Sequence, residues 1–96
     1  MTKYNLKMKS TYPKILMYSR NLCSDCIRSK NFLEKNEIPF EEINIIENPQ
    51  FKETVESLNN GRQTVPTIII ENHSEKIILS EPSDAELLIS IKKLSY

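Results

Sequence analysis

Cys23-Ser24-Asp25-Cys26 contains the only two cysteines of this 96-residue chain, and this stretch decides the fold. An unbroken apolar run from Ile15 to Tyr18 precedes it, and a helical pattern from Ile27 to Asn36 follows it. Such a run is typical of a strand buried on both faces, here residues 14–19. The stretch therefore predicts a central strand, a short loop and a helix that begins at Cys23 or Ser24. This arrangement places the cysteines at the carboxyl end of a strand, where open α/β sheets carry their sites.

Three further strands are predicted downstream of the cysteines. Residues 40–46 alternate between apolar and polar side chains, as an edge strand does. Residues 67–71 contain three consecutive isoleucines, which predicts a second central strand. Residues 72–74 form a short turn, so residues 75–80 are predicted to return antiparallel to that strand.

Two further helices complete the prediction. Asn48-Pro49 is expected to open the first of them, with Asn48 as N-cap, and Asn60-Gly61 to close it. Ser83 is expected to start the last helix through a capping box over residues 83–86. The side chains that the three helices are expected to turn toward the core are Cys26, Ser29, Phe32, Leu33, Phe51, Val55, Leu58, Leu87, Leu88, Ile91 and Leu94.

The predicted order of elements is β-α-β-α-β-β-α, which defines an α/β fold. A strand–helix–strand unit of this length is right-handed with parallel strands, whereas the last two strands are antiparallel. The prediction is a four-stranded mixed sheet flanked by three helices, with helices on both faces. The strands at 14–19 and 67–71 are expected inside the sheet, and the strand at 40–46 at an edge.

Composition argues against several classes of partner. The formal net charge is zero, which gives no support for nucleic acid or an anionic membrane as partner. The longest apolar runs have four residues, far fewer than the roughly 20 that span a bilayer. We expect one domain, at residues 13–96, after a flexible extension at residues 1–12. The extension lacks the apolar segment of a secretory signal, so we expect a cytoplasmic protein, and we also expect a monomer.

The spacing of the cysteines is that of a thiol–disulfide exchange site. Cys23 stands at a helix N-terminus, where free N–H groups and the helix dipole stabilise a thiolate. Cys26 follows one turn later, close enough to attack a mixed disulfide formed on Cys23. We therefore expect Cys23 to attack and Cys26 to resolve. Arg20 should lower the pKa of the Cys23 thiol and Asp25 should raise it, so Asp25 and its neighbour Ser24 are expected to modulate the site.

Half a zinc site and an inert buried pair are the two other interpretations of Cys-x-x-Cys. A structural zinc ion takes four ligands. The only histidine of the chain, His73, lies in a predicted turn far from the cysteines in sequence. We therefore predict no metal site.

Thr64-Val65-Pro66 is the second marker of the site. A proline at the entry to a central strand cannot donate to the strand ladder. A cis Val65–Pro66 bond would leave the backbone of residue 65 free to pair with an extended substrate. A trans proline that merely starts the strand is the alternative.

With both motifs placed, the chain resembles the glutaredoxins, which have the thioredoxin fold, over about residues 14–95. The resemblance implies that Cys23 is the nucleophile and Cys26 the second active-site cysteine. It also implies that Arg20 binds the glycine carboxylate of glutathione, and that Val65 of Thr64-Val65-Pro66 pairs with the tripeptide backbone. Ser83-Asp84 stands where the family binds the γ-glutamyl end.

Residues 79–83 depart from the family pattern. They read Leu-Ser-Glu-Pro-Ser, where glutaredoxins usually carry Gly-Gly. This run, and Gly61-Arg62-Gln63, look more like bacterial mycoredoxin-like and glutaredoxin-like proteins, which use another low-molecular-weight thiol or a thioredoxin-type reductase. The resemblance therefore implies no bound cofactor, with glutathione or another low-molecular-weight thiol as co-substrate.

The predicted function is the reduction of protein disulfides or mixed disulfides. The expected partners are disulfide-containing proteins and a low-molecular-weight thiol or reductase. Leu22, Ile27 and Val65 are expected to form an apolar rim that meets the protein substrate. One alternative is an electron donor to ribonucleotide reductase, recharged by thioredoxin reductase. The other is a non-catalytic iron–sulfur carrier or redox sensor, against which Cys26 argues, because cluster-carrying relatives mostly have one active-site cysteine.

Overall fold

The structure is a computed structural model that describes residues 11–96. Residues 1–10, which make up most of the expected extension 1–12, lie outside the described residues. The elements follow the predicted order, and a 3-10 helix, Pro49–Phe51, precedes the second α-helix. The elements are β1 Lys14–Ser19, α1 Ser24–Lys35, β2 Glu41–Asn44, α2 Lys52–Leu58, β3 Thr67–Glu71, β4 Lys76–Ser80 and α3 Asp84–Leu94.

The four strands form one mixed sheet in the order β2-β1-β3-β4. β1 pairs parallel with β2 and antiparallel with β3, and β3 pairs antiparallel with β4. The predicted central strands and the predicted edge strand are therefore confirmed, although β2 and β4 are shorter than expected. Tyr18 at the end of β1 pairs with Thr67 at the start of β3. The loop after β1 and the loop before β3 consequently meet at the same end of the sheet.

Apolar side chains pack on both faces of the sheet. Ile15 and Met17 of β1 belong to one buried cluster, which also contains Leu33 of α1 and Ile91 of α3. Tyr18 belongs to a second cluster, which contains Val55 of α2. Successive β1 side chains point to opposite faces, so α1 and α3 cover one face and α2 covers the other. The expected placement of helices on both faces is confirmed.

The buried stripe of α3 differs from the prediction at one position. The expectation that Leu88 faces the core is wrong, because Leu88 is 39% exposed. The buried residues of α3 are Leu87, Ser90, Ile91 and Leu94. One residue advances a helix by about 100°, so Leu88 lies beside the buried stripe rather than within it.

The start of α2 also differs from the prediction. The Asn48 side chain makes no cap hydrogen bond to the turn that follows it. Its Nδ2 instead donates to the carbonyl oxygen of Asn44 at 3.0 Å. The closing residue is as expected, since Gly61 has a φ of 91°. The Gly61 N–H donates to the Glu56 carbonyl oxygen at 2.7 Å.

Asn59, the residue after α2, joins three parts of the fold. Its Nδ2 donates to the Val55 carbonyl oxygen at 2.8 Å and to Oγ1 of Thr67 at 2.9 Å. Its Oδ1 accepts a hydrogen bond from Oγ of Ser80 at the end of β4. Oγ1 of Thr67 in turn donates to the carbonyl oxygen of Thr64 at 2.7 Å. This buried network fixes the loop that carries Thr64-Val65-Pro66 against α2 and both hairpin strands.

We predict that Asn59→Ala lowers the free energy of unfolding by about 2 kcal/mol, because it removes three side-chain hydrogen bonds at a buried position. Urea unfolding followed by circular dichroism measures this change. The control is Asn36→Ala, because the Asn36 amide also donates to a helix carbonyl, that of Phe32, but at an exposed position. The control should cost no more than about 0.5 kcal/mol. Equal losses in the two variants would contradict the structural role of Asn59.

Candidate active site

Cys23 caps the N-terminus of α1. Its backbone is extended, with φ −122° and ψ 102°, and its carbonyl oxygen accepts the first helical hydrogen bond, from Ile27, at 3.0 Å. Its Sγ accepts a hydrogen bond from the backbone N–H of Cys26 at 3.1 Å. A thiolate at this position gains both this hydrogen bond and the favourable end of the helix dipole. The predicted placement of Cys23 at a helix N-terminus is confirmed.

The two cysteines form a disulfide, with their Cα atoms 5.2 Å apart. They differ in access to solvent. Cys23 is half-buried, whereas Cys26 is 4% exposed and packs with Tyr18 and Val55 in the second core cluster. Burial raises the pKa of the Tyr18 hydroxyl, so this neighbour carries no charge near neutral pH. An incoming molecule can therefore reach the sulfur of Cys23 much more readily than that of Cys26.

The Val65–Pro66 peptide bond is cis, which decides between the two alternatives that the sequence left open. The carbonyl oxygen of Val65 lies 3.9 Å from Sγ of Cys23, and the carbonyl oxygen of Pro66 accepts a hydrogen bond from the N–H of Glu81 at 2.8 Å. The backbone N–H of Val65 has no hydrogen-bond partner within residues 11–96. The structure thus brings the two sequence motifs together and places a backbone donor beside the sulfur of Cys23.

An open cleft of about 480 Å³ adjoins Cys23, and we call it the Cys23 cleft. Two arginines and two carboxylates line it, and neither arginine forms an ion pair within residues 11–96. The cleft can therefore receive a ligand that carries anionic groups. Its lining residues are Arg20, Leu22, Cys23, Ser24, Asp25, Arg62, Gln63, Thr64, Val65 and Glu81.

Exposed apolar side chains flank the cleft on the α1 side. Leu22 is fully exposed and has a φ of 55°, and Ile27 is 57% exposed. The expectation that the Val65 side chain belongs to this rim is wrong, because it is only 8% exposed and packs against the second core cluster. The apolar rim therefore consists of Leu22 and Ile27, and Val65 offers its backbone rather than its side chain.

Arg28 connects α1 to the start of α3. Its guanidinium donates to Oδ1 of Asp84 at 3.0 Å and to the carbonyl oxygen of Pro82 at 3.1 Å. It also lies 3.4 Å from Oδ1 of Asp25. Ser83, next to Asp84, accepts the Glu86 N–H in the predicted capping box, at 3.1 Å. The Asp84 carboxylate, which the resemblance assigns to ligand binding, is therefore already paired with a cation of the same chain.

Three charged residues at the site were not predicted from the sequence to take part in it: Arg28, Arg62 and Glu81. Arg28 meets Asp84 across 56 residues of sequence, so no local pattern reveals the pair. Arg62 lies two positions before Thr64-Val65-Pro66, and this closeness in sequence could have indicated that Arg62 lies at the site. Glu81 has a φ of 49°, a conformation that glycine adopts most easily. It lies in the segment 79–83, which lacks the Gly-Gly that glutaredoxins usually carry.

His73 lies away from the cysteines. It follows β3, at the opposite end of the sheet, and its ring stacks on Tyr96 with 5.2 Å between centroids. No group of three or more potential metal ligands is found within residues 11–96. In the same part of the chain, no helix is both long and apolar enough to cross a membrane.

We predict that Asp25→Asn lowers the pKa of the Cys23 thiol in the reduced protein, because it removes a negative charge two residues away. The Arg28 guanidinium lies 3.4 Å from the Asp25 carboxylate and offsets part of that charge, so the decrease should be limited. In an Arg28→Met background the same substitution should lower the pKa further, because the offsetting positive charge is absent. Thiolate absorbance against pH measures all four proteins of this cycle. A pKa that is unchanged or raised by Asp25→Asn would refute the prediction.

Comparison with known proteins identifies the family. The family model for glutaredoxin matches residues 15–74 of this chain. A candidate glutaredoxin of Mycobacterium tuberculosis is 32% identical over 81 residues, which cover 84% of this chain and 93% of that protein. The glutaredoxin-like protein NrdH of Lactococcus lactis is 41% identical over 54 residues, which cover 56% of this chain and 72% of NrdH.

A solved structure agrees with the fold described above. The crystal structure of a glutaredoxin from Archaeoglobus fulgidus superposes with a TM-score of 0.61 at 26% identity, and the match covers 85% of each chain. The thioredoxin-like fold expected from the sequence is confirmed. The family match spans β1, the cysteine pair, the cis proline and β3. The chain therefore belongs to the glutaredoxin family of thiol–disulfide oxidoreductases.

Proposed function

We propose that this protein reduces protein disulfides and mixed disulfides by dithiol exchange, with Cys23 as the attacking thiol and Cys26 as the resolving thiol. The unequal environment of the two sulfurs carries the proposal. Cys23 lines an open cleft and its Sγ accepts a backbone hydrogen bond, whereas Cys26 is 4% exposed. Access favours Cys23 for the first step, and proximity favours Cys26 for the second.

The first step forms a mixed disulfide. The Cys23 thiolate attacks one sulfur of the substrate disulfide, and the other substrate sulfur leaves as a thiolate that takes a proton from solvent. The N–H of Cys26 stabilises the attacking anion, and the N-terminus of α1 adds to this stabilisation. The N–H of Val65 has no partner among the described residues 11–96, and an extended substrate segment can accept a hydrogen bond from it, beside the carbonyl oxygen that lies 3.9 Å from Sγ.

The second step releases the reduced substrate. The Cys26 thiolate attacks Sγ of Cys23, which forms the Cys23–Cys26 disulfide and expels the remaining substrate thiolate. Two electrons have then passed from the protein to the substrate. The rim residues Leu22 and Ile27 offer apolar contact area for a protein substrate, and we propose disulfide-containing proteins of the cytoplasm as partners of a monomeric enzyme.

A low-molecular-weight thiol is the proposed reductant that returns the protein to its dithiol form. Arg20 and Arg62 in the Cys23 cleft form no ion pair within residues 11–96, and their guanidiniums suit the carboxylates of such a thiol, glutathione included. Thr64 and Val65 line the same cleft. No bound cofactor is part of this proposal.

A second candidate is an electron donor to ribonucleotide reductase that a thioredoxin reductase recharges. The pairing of Arg28 with Asp84 favours it, because the carboxylate expected to bind the γ-glutamyl ammonium of glutathione is already occupied. The glutaredoxin-like protein NrdH is among the similar proteins. This candidate keeps the same roles for the two cysteines and changes only the partner that supplies electrons.

We predict that Cys23→Ser lowers the rate of mixed-disulfide reduction by about a thousandfold or more, because it removes the nucleophile. Cys26→Ser should complete the first step and accumulate the mixed disulfide, which mass spectrometry of the intact protein detects. Activity in Cys23→Ser, together with loss in Cys26→Ser, would overturn the assignment.

Turnover with two reductant systems separates the two candidates. We predict that the wild-type protein turns over with glutathione and glutathione reductase in the insulin or mixed-disulfide assay. Turnover with NADPH and thioredoxin reductase, and none with glutathione, would exclude glutathione as the reductant and support the second candidate. Visible absorbance of an iron–sulfur cluster in anaerobically purified protein, without turnover in either system, would contradict both.

A further inference from the structure

Ser29 is a buried polar residue of α1 whose hydroxyl the part of the chain that the structure describes leaves without a hydrogen bond. It is 0% exposed, and its Oγ has no partner within residues 11–96 while Cys23 and Cys26 form their disulfide. A buried hydroxyl that makes no hydrogen bond is destabilising, and an alanine at the same position would avoid this penalty. Ser29 therefore makes the oxidised protein less stable than an alanine at the same position would.

Ser29 lies one helical turn after Cys26. The buried residues of α1 are Cys26, Ser29 and Leu33, which places the hydroxyl on the same face of the helix as the sulfur. Side chains three residues apart on a helix have their Cβ atoms about 5–6 Å apart. The Cα–Cβ bond of a helical residue tilts toward the helix N-terminus, so the Ser29 side chain leaves its backbone on the side of the turn that contains Cys26.

The usual alternative partner of a helical serine is not used here. A serine hydroxyl within a helix often donates to the carbonyl oxygen four residues earlier, which for Ser29 is that of Asp25. Ser29 does not make this bond. Its donor is therefore available to a partner that appears only when the disulfide is reduced.

We propose that Ser29 is a positioning residue for the resolving step, because in the dithiol form its hydroxyl donates a hydrogen bond to Sγ of Cys26. This inference rests on the proposed function. Cys26 is 4% exposed, so its thiolate loses most of its hydration and needs a donor from the protein. A thiolate is a charged acceptor, and hydrogen bonds to ionised groups are about twice as strong as those between neutral groups. The sulfur of the disulfide is uncharged and so a weaker acceptor, and Ser29 makes no hydrogen bond to it in the oxidised protein.

The step that Ser29 assists can be written in full. Cys26 loses its proton to solvent, and the resulting thiolate, held by the Ser29 hydroxyl, attacks Sγ of Cys23 in the mixed disulfide. The Cys23–Cys26 bond forms, the bond from Cys23 to the substrate sulfur breaks, and the substrate leaves as a thiolate that solvent protonates. Ser29 keeps its own proton throughout, so it holds the nucleophile in place and does not act as a base.

The same contact couples Ser29 to the redox equilibrium. The hydroxyl is unsatisfied in the disulfide form and satisfied in the dithiol form, so it stabilises the dithiol relative to the disulfide. Ser29→Ala removes the penalty from one form and the hydrogen bond from the other. Both changes favour the disulfide, and the reduction potential of the variant should become more negative.

The equilibrium of Ser29→Ala with a dithiothreitol redox buffer tests the inference. We expect the equilibrium constant for reduction to fall about threefold to tenfold, and a tenfold change corresponds to about 30 mV. In single-turnover experiments, release of substrate from the mixed disulfide should slow by a similar factor. Both readouts measure the cysteine pair rather than folding, so a purely structural role of Ser29 would not move them.

Two controls isolate the contact. Ser90→Ala removes another buried helical hydroxyl, in α3, at a residue that is 8% exposed, and it should leave the potential unchanged. In a Cys26→Ser background, which has no resolving thiol, Ser29→Ala should leave the rate of the first step unchanged.

The outcomes separate this inference from the proposed function. An unchanged potential in Ser29→Ala, or an equal shift in Ser90→Ala, would overturn the role of Ser29 while the assignment of Cys23 and Cys26 stands. The potential is an equilibrium quantity, so it does not depend on which cysteine attacks first. If Cys23→Ser is active and Cys26→Ser is not, Cys26 is not the resolving thiol. Ser29 then has no role in the resolving step, even if the reduction potential shifts as expected.

Discussion

The pairing of Tyr18 with Thr67 is the constraint on which the active site depends. It joins the end of β1 to the start of β3, so the loop that ends at Cys23 and the loop that carries Val65 and Pro66 occupy the same end of the sheet. More than 40 residues separate these loops in sequence, and only the antiparallel register brings them together. The 3.9 Å approach of the Val65 carbonyl oxygen to the Cys23 sulfur follows from that register. A shift of the pairing by one residue would also move the β3 side chains to the opposite face.

Elements that depend on local sequence were predictable. Unbroken apolar runs indicated the two central strands, and the capping box at Ser83 indicated the start of α3, because each pattern reports an interaction within a few residues. The predicted placement of Cys23 at the start of a helix rested on the same kind of signal. The exposure of Leu88 was not predictable, because Leu87 and Leu88 are both apolar and only the direction of the core selects one of them.

The parts of the site that were not predicted arise from long-range contacts. The pairing of Arg28 with Asp84 needs the final position of α3 against α1, which no pattern within either helix specifies. This pairing also changes which charged side chains act on the Cys23 thiol. From sequence, Arg20 and Asp25 were the two opposing charges. In the structure Arg28 lies beside Asp25, while Arg20 and Arg62 line the Cys23 cleft without an ion pair within residues 11–96.

Leu22 and Glu81 line the cleft with left-handed backbone conformations, φ 55° and 49°, at positions where a glycine would be unstrained. A glycine would let the backbone sample many more conformations, whereas a residue with a side chain restricts them. The backbone at Leu22 and Glu81 is therefore less flexible than glycines at the same two positions would make it. Binding of a partner that fits the cleft therefore costs little conformational entropy of this backbone. A partner that does not fit would have to change a backbone conformation that has few alternatives. The backbone at these two positions thus restricts the shapes that the Cys23 cleft can adopt.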